Sequence, residues 1–244
     1  MNPIITFFIV FTTMQTSFKE AQLKYSRVRQ AYQNKESVVD GLLSGIGIKK
    51  DELRLYLRAY KTEKKLEVWA KNRRDGQFKL LKVYTVCKTS GKIGPKRKRG
   101  DLQVPEGFYH IDRFNPVSKF HLSLGINYPN RSDKILGNKK DLGGDIFIHG
   151  DCVTIGCLPI TDEMIEEIYL MSVEAKNSGQ ETIPVTIFPA KPDSAEFTEL
   201  LSRYPETENH HLWKSLQKAY DYFNDNKKLP EITFLKDGRT QVDG

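Results

Sequence analysis

A histidine and a cysteine lie eight residues apart in the stretch Asp145 to Thr161, which reads DIFIHGDCVTIGCLPIT. The apolar DIFI predicts a strand that delivers His149 at its end, where rigid scaffolds often place reactive groups. A cysteine reacts as its thiolate, and a neighbouring imidazole can take the thiol proton. Gly156 allows a sharp turn before Cys157, so that the amides of both residues could face a developing oxyanion. The pattern is that of a nucleophilic cysteine site.

Three other interpretations fit the same residues. A cysteine is often a small core residue, and a histidine can be purely structural. A metal site of His149, Cys152 and Cys157 has no familiar zinc spacing and lacks a fourth ligand. The odd cysteine count leaves at least one thiol free if disulfides form, and both Cys152–Cys157 and Cys87–Cys152 are conceivable pairs. Because a permanent bond at Cys157 would remove the nucleophile, only Cys87–Cys152 is compatible with nucleophilic chemistry.

The elements that must position these residues are mostly strands. Alternating or apolar runs bounded by Gly, Pro or Asn predict strands at 53–57, 66–70, 78–87, 108–114, 120–128, 145–149 and 185–188. One helix is clear: Asp162 is expected to cap it, apolar residues recur at helical spacing, and Gly179 ends it. Two further helices are predicted around 197–204 and 211–223, with a last short strand at 232–235. The fold class is therefore α+β, with a mainly β core.

The chain divides by composition into four parts. Ile4 to Met14 is apolar, is too short to span a bilayer, and is typical of a secretory signal peptide, so residues 1–17 are predicted to be a signal peptide or N-terminal anchor. A buried N-terminal strand is the alternative. Residues 18–50 are predicted to be a helical lead-in, 51–192 the catalytic domain, and 193–244 a helical C-terminal extension packed on it.

Composition and charge set broad limits. The 244 residues are 39% hydrophobic and 28% charged, which excludes wholesale disorder. A net charge of +7 and a pI of about 9.1 suit anionic surroundings. The basic run Lys96 to Arg99 is interpreted as a solvated loop, or else a loop near the cleft that attracts anionic substrate. Nucleic-acid binding is not expected, because an exported protein meets little of it and no aromatic platform accompanies the run.

Several ordered motifs resemble one family. HGDCVTIGC resembles the H-G…[S/T]-x-G-C signature of the L,D-transpeptidase catalytic domain, the YkuD-type fold. VPEGFY (104–109) resembles that family's T-P-x-G-x-F/Y segment. The stretches SGKIGPK (90–96), NPVSKFHLSLGINYPN (115–130) and IHGDCVTIGCLPITD (148–162) are similar to a YafK-like branch, as are the short His-to-Cys spacing and the C-terminal extension. The resemblance spans roughly residues 50 to 235.

The resemblance implies a fold, an activity and a site. Family members have a mainly β domain with an inserted helix and act on peptidoglycan stem peptides. A thiolate attacks the peptide bond after the L-centre of a diamino acid, expels D-alanine, and the acyl group passes to an amine or to water. By match of position, Cys157 would be the nucleophile, His149 the base, and the Gly150 carbonyl the group that orients the imidazole. Gly156 would supply an oxyanion amide together with Cys157, and Thr154 would support the loop. No metal or organic cofactor is implied.

One departure from the family concerns substrate binding. Many members have Arg or Asn two residues after the cysteine, whereas this chain has Pro159, which cannot pair with a carboxylate. His121 is therefore the first candidate for substrate binding, and Tyr128 and Asn130 are weaker ones.

Three functions remain open at this stage. The first is an exported, periplasmic or envelope L,D-transpeptidase that acts on stem peptides. The second is a hydrolase, carboxypeptidase-like or amidase, that releases a D-amino acid or a peptidoglycan-linked lipoprotein. The third is a non-catalytic peptidoglycan-binding protein. Membrane contact is expected only through an uncleaved N-terminal segment.

Overall fold

The computed structural model describes residues 16–244, so that nearly all of the predicted signal peptide or anchor lies outside the described residues. In this range the helices are α1 (Phe18–Leu23), α2 (Ser26–Gly45), α3 (Arg131–Leu136), α4 (Asp162–Asn177), α5 (Ala195–Arg203) and α6 (Glu208–Asn226). The strands are β1 (Leu53–Tyr60), β2 (Lys65–Asn72), β3 (Lys79–Thr85), β4 (Gly107–Asn115), β5 (Ser123–Ile126), β6 (Phe147–His149), β7 (Leu158–Pro159), β8 (Ile183–Phe188), β9 (Glu231–Phe234) and β10 (Thr240–Asp243).

Eight strands form one sheet in the order β3-β2-β1-β8-β4-β5-β6-β7, and β9 and β10 form a separate hairpin. The pairs β1–β8 and β6–β7 are parallel, and the other neighbours are antiparallel. The sheet curls until its two outer strands approach each other: the Cys87 amide, just after β3, donates to the Pro159 carbonyl on β7 at 2.9 Å. The site residues of β6 and β7 therefore lie beside the end of β3.

One face of the sheet is covered by α4 and by the lead-in helices α1 and α2. Side chains of β1 alternate between the two faces of the sheet, and Leu53, Leu55 and Leu57 pack into this layer. Three buried carboxylates of α4 hold the neighbouring elements: Glu174 accepts from Tyr32 at 2.9 Å, Glu167 from Lys82 at 2.5 Å, and Glu166 from Asn34 at 3.2 Å. Buried carboxylates are tolerated because each is paired.

The opposite face is covered by the C-terminal extension. Trp213, Leu216 and Tyr220 of α6 pack with Phe197 of α5 against Phe188 of β8. The side chains on the other face of β1, among them Tyr56 and Tyr60, pack into this second layer. The sheet is thus sandwiched between helices that come from the two ends of the chain.

The fold class predicted from sequence is confirmed, with a lead-in before the sheet, a helix within it and an extension after it. Three local predictions were wrong or incomplete. Thr161, rather than Asp162, caps α4 by accepting from the Met164 amide. The predicted strand at 120–128 is only the four residues of β5, and α3 and β7 were not predicted. In the part of the chain that the structure describes, no helix is long and apolar enough to cross a membrane.

Candidate active site

His149 and Cys157 lie on neighbouring parallel strands at one end of the sheet. His149 ends β6, and Cys157 immediately precedes β7. Because Ile148 pairs with Leu158, Cys157 lies opposite Phe147, whose amide donates to Sγ at 3.4 Å. Phe147 and His149 are two residues apart on one strand and share a face, so the thiol and the imidazole are directed to the same side. Both line one open cavity of about 300 Å³.

The imidazole of His149 is held in one tautomer. Its Nδ1 lies 2.5 Å from the Gly150 carbonyl oxygen, and a carbonyl can only accept, so Nδ1 carries the hydrogen. Nε2 is then the nitrogen with a free lone pair, which is the arrangement a general base needs. The Phe120 ring packs on the imidazole with centroids 4.7 Å apart. Burial lowers the pKa of His149 below its usual value, and the Gly150 contact opposes that shift only in part.

The Cys157 side chain is partly buried and uncharged at rest. Burial raises the pKa of the Cys157 thiol above its ordinary value, while the hydrogen bond from the Phe147 amide acts in the opposite direction. The thiol lies 3.6 Å from the Asp145 carbonyl oxygen. A neutral thiol therefore shares the cavity with a neutral imidazole, so that thiolate would form by proton transfer within the site.

A disulfide joins Cys87 to Cys152 and leaves Cys157 as a free thiol. Of the two pairings considered from sequence, this is the one compatible with nucleophilic chemistry. The disulfide also argues against a metal site of His149, Cys152 and Cys157, because the sulfur of a bonded cysteine is not a thiolate ligand. Among residues 16–244 no group of three or more His, Cys, Asp or Glu side chains is arranged to hold a metal ion.

The loop before Cys157 is organised by the Thr154 hydroxyl. Thr154 Oγ1 accepts from the Gly156 amide at 3.1 Å and from the Cys157 amide at 2.8 Å, and it donates to the Cys157 carbonyl at 2.9 Å. Thr154 thus has the loop contacts that the sequence predicts. The two amides face Thr154, so they could serve an oxyanion only by exchanging or sharing that acceptor. Gly156 has φ +137°, a conformation that favours glycine.

Gly150 lies where its surroundings leave no room for a side chain. A Cβ there would lie 2.4 Å from Asp162 Oδ1 and 3.0 Å from the Phe120 carbonyl oxygen. This close approach brings the segment that carries Phe120 against the end of β6. The need for glycine at this position is therefore steric, in addition to the contact that its carbonyl makes with His149.

The three substrate-binding candidates do not line the cavity that Cys157 and His149 share. His121 Nε2 lies 2.9 Å from Glu166 on α4, so the residue fastens the Phe120 segment to that helix. Tyr128 is buried, and its hydroxyl donates to the Leu142 carbonyl at 3.1 Å. Asn130 caps α3. All three make contacts that hold the elements around the site.

The cavity wall contains residues that sequence reasoning missed. The residues that line it beside His149 and Cys157 include Lys88, Phe120, Val153 and Ile155. Lys88 directly follows Cys87, and a pairing of Cys87 with Cys152 is the sequence feature that could have placed this lysine near the cavity. A second cavity, of about 310 Å³, is lined by residues of β4, β8 and β9, among them Phe108, His110 and Ile232, and among the described residues no cysteine lines it.

The basic run is only in part the solvated loop expected from sequence, since Lys98 and Arg99 are exposed whereas the first two residues of the run are packed. Lys96 is buried and contacts Asp101 at 2.5 Å. Arg97 pairs with Asp133 at 2.9 Å and with Glu208 at 2.6 Å, and Arg99 pairs with Asp141 at 2.7 Å. Arg97 thus links the loop to α3 and α6, a structural role that its position in sequence did not indicate.

The fold is a curled sheet with a histidine and a cysteine at the ends of adjacent strands, and comparison with known proteins identifies the family to which such a domain belongs. Residues 54–187, more than half of the chain, match the family model of the YkuD L,D-transpeptidase catalytic domain, and the chain belongs to this family. It is 34% identical over 183 residues to the Escherichia coli K12 protein named "Putative L,D-transpeptidase YafK", covering 74% of this chain and 71% of that protein.

Two solved structures are also similar. The helical cell shape determining protein Pgp2 of Campylobacter jejuni aligns with a TM-score of 0.45 and 21% identity, over 81% of this chain and 80% of that one. Bd1075 of Bdellovibrio bacteriovorus aligns with a TM-score of 0.40 and 18% identity, over 76% and 75% of the two chains.

Proposed function

We propose that this protein is a cysteine-dependent L,D-transpeptidase that acts on peptidoglycan stem peptides through a thioester acyl-enzyme. Membership of the family supports the reaction class. The observation that carries the proposal is the free Cys157 thiol in one cavity with an imidazole whose Nδ1–H is bound to the Gly150 carbonyl, which leaves Nε2 able to accept a proton.

The proposed acylation step balances within the site. His149 Nε2 takes the thiol proton as Cys157 Sγ bonds to the carbonyl carbon on the L-centre side of the diamino acid. The tetrahedral oxyanion then collapses, the C–N bond breaks, and the imidazolium gives its proton to the departing amine of D-alanine. An incoming amine, or water in the hydrolytic alternative, attacks the thioester while His149 again serves as base. Every group that these reaction steps require belongs to the protein, to the donor substrate or to the acceptor.

The proposal also fixes the setting of the protein. A stem-peptide substrate requires an envelope location, which agrees with a persistent disulfide, because such bonds form in oxidising compartments. In this proposal residues 51–192 are the catalytic unit, 18–50 and 193–244 are its lead-in and extension, and 1–17 direct export.

Digestion of purified sacculi, with and without attached proteins, tests the function. The wild type is compared with Cys157→Ala and His149→Ala, and His211→Ala on α6 is the matched histidine control outside the cavity. Chromatography and mass analysis should show D-alanine release and new 3–3 linked peptides with the wild type and the control. Both products should disappear with Cys157→Ala and fall at least about a hundredfold with His149→Ala, since general base catalysis contributes that much.

Two other results would redirect the assignment. Release of protein fragments that carry the diamino acid, with no change in cross-links, would replace the transpeptidase by the hydrolase while keeping Cys157 as nucleophile. Identical digests from the wild type and a folded Cys157→Ala variant would overturn cysteine catalysis on these substrates and favour a binding protein.

A further inference from the structure

Lys88 carries the charge of the catalytic cavity. The other lining residues are apolar or uncharged at rest: Phe120, His149, Val153, Thr154, Ile155 and Cys157. Lys88 is exposed, and within residues 16–244 its ammonium group forms no ion pair with a carboxylate. A lysine at the rim of an otherwise neutral cavity can therefore attract an anionic group from outside the chain.

The neighbouring charges do not neutralise Lys88. Asp145, whose charge acts on Cys157, is paired with Arg113 at 2.9 Å. Asp151, whose charge acts on His149, is exposed and does not line the cavity. By contrast, the basic side chains of the nearby run at 96, 97 and 99 are each bound to carboxylates. Lys88 is thus distinguished from them by both its location and its pairing.

The backbone at Lys88 is fixed relative to the nucleophile. The preceding residue, Cys87, donates its amide to Pro159, two residues after Cys157. The same residue is bonded through sulfur to Cys152 in the loop that leads to Cys157, with Cα atoms 5.4 Å apart. Two anchors on either side of the nucleophile therefore precede Lys88 directly, so that its flexible side chain starts from a defined point beside the cavity.

We propose that Lys88 binds a free carboxylate of the acyl donor, next to the bond that Cys157 attacks. This chain has Leu158 and Pro159 after the cysteine, so no cation follows the nucleophile directly in sequence. An ammonium group acts as a point charge with rotatable donors and suits a carboxylate whose position varies slightly between donor and acyl-enzyme. Naming the ligand as a donor carboxylate rests on the proposed function, whereas the presence of an anion subsite at the thiol does not.

Charge-selective alkylation tests the subsite without any assumption about turnover. The rate of Cys157 modification in the full-length, disulfide-bonded protein is measured with iodoacetate, which is anionic, and with iodoacetamide, which is neutral. Cys157→Ala should show no incorporation, because the other two cysteines are bonded to each other. Because the Lys88 charge can also change the thiolate population, the ratio of the two rates is compared. Lys88→Gln should lower the ratio of the iodoacetate rate to the iodoacetamide rate about three- to tenfold at low ionic strength.

The matched control is Lys92→Gln, an exposed lysine four residues along that does not line the cavity. It should leave both rates at wild-type values, and Lys88→Arg should keep the iodoacetate preference. A rate ratio that is the same in wild type and Lys88→Gln, or that falls equally in Lys92→Gln, would overturn the subsite.

A second measurement identifies the ligand. With stem peptides that carry either free or amidated carboxylates, Lys88→Gln should raise KM about tenfold for the free form only, with kcat little changed. An equal rise for both forms would mean that Lys88 packs against the substrate and does not read its charge. The wild type and Lys88→Gln could still differ in alkylation while the protein is inactive on every stem peptide. That result would support the anion subsite and contradict the proposed function.

Discussion

Cys157 and His149 are both uncharged in the resting protein, because burial disfavours the ionised form of each. Such a pair does not store a reactive thiolate that could be oxidised or alkylated before substrate arrives. In the proposed reaction the thiolate instead forms when the proton moves to Nε2 during attack. The chemistry consequently depends on a neutral imidazole, and this dependence gives a testable effect of pH.

The acid limb of kcat/KM should lie below pH 6.5. The pKa of His149 is lowered by burial, so its imidazole stays unprotonated, and active, at mildly acidic pH and is lost as base when the pH falls through that lowered pKa. Phe120→Ala removes the ring that covers the imidazole and should move the limb upward. A pH profile with its acid midpoint at or above 6.5 in the wild type, or unmoved in Phe120→Ala, would contradict this account.

Thr154 should be required for a properly formed cysteine loop. Thr154→Val keeps the shape but removes the hydroxyl that bonds the two amides and one carbonyl of the loop. Leaving such groups unpaired costs about 1–3 kcal/mol, so kcat/KM should fall about ten- to a hundredfold. Thr154→Ser, which keeps the hydroxyl, is the control. Equal activities of the Val and Ser variants would show that the hydroxyl is dispensable.

Sequence reasoning located the residues of the site that are close in sequence. His149, Gly150, Thr154 and Cys157 lie within one short segment, so their proximity follows from chain connectivity. The prediction that His121 binds substrate comes from a family motif. Its contact with Glu166 could not be predicted, because the two residues are 45 positions apart and nothing local indicates the pairing. Lys88 was missed for the same reason.

At the scale of elements, the link between the end of β3 and the cysteine loop is covalent as well as hydrogen-bonded. The Cys87–Cys152 bond spans 65 residues of sequence. A cross-link of this span lowers the conformational entropy of the unfolded chain far more than that of the folded one. Its main effect should therefore be on stability, with a secondary effect on the position of Lys88.

Replacing both bonded cysteines by serine should lower the free energy of unfolding by about 2–4 kcal/mol. Urea denaturation of the double variant and of the wild type measures the difference. Reducing agent serves as the control: it should bring the wild type near the variant and leave the variant unchanged. Equal midpoints for the oxidised wild type and the double variant would show that the bond contributes nothing to stability.

Most strands and the long helices could be predicted because alternation and helical spacing extend over enough residues to be recognised. β7 has only two residues, Leu158 and Pro159, so it has no periodicity. α3 is short, yet its start did carry a signal: Asn130 and Asp133 form a capping box, each side chain accepting from the other's amide. Asn130 was assigned to the substrate although its spacing to Asp133 indicated a helix start.

At the scale of the whole molecule, one buried ion pair joins three distant parts of the chain. Lys61, after β1, contacts Glu106, before β4, at 2.7 Å, and both side chains are almost fully buried. Glu106 also accepts from Trp213 of α6 at 2.8 Å, and Lys61 donates to the Val104 carbonyl at 3.0 Å. Lysine is normally a surface residue, so nothing in the sequence indicates this buried contact of Lys61.

Lys61→Met should destabilise the protein by about 3–5 kcal/mol, since it leaves Glu106 buried without its cation. The comparison is Arg239→Met, which breaks an exposed pair with Asp237 and should cost less than about 1 kcal/mol. Lys61→Met combined with Glu106→Gln should be less destabilised than the sum of the two single variants. Urea denaturation measures all four, and additive losses would contradict coupling between the two charges.

The position of β8 in the sheet has a consequence for the growing polypeptide. β8 is inserted between β1 and β4, so it pairs with strands that precede it by roughly 125 and 75 residues. During synthesis from the N-terminus, β1 and β4 have no partner on that side until residue 188 is available. Unpaired strand edges invite association with other chains. Polypeptides that stop between the cysteine and β8 would thus contain both Cys157 and His149 and yet expose unpaired edges of β1 and β4 to other chains.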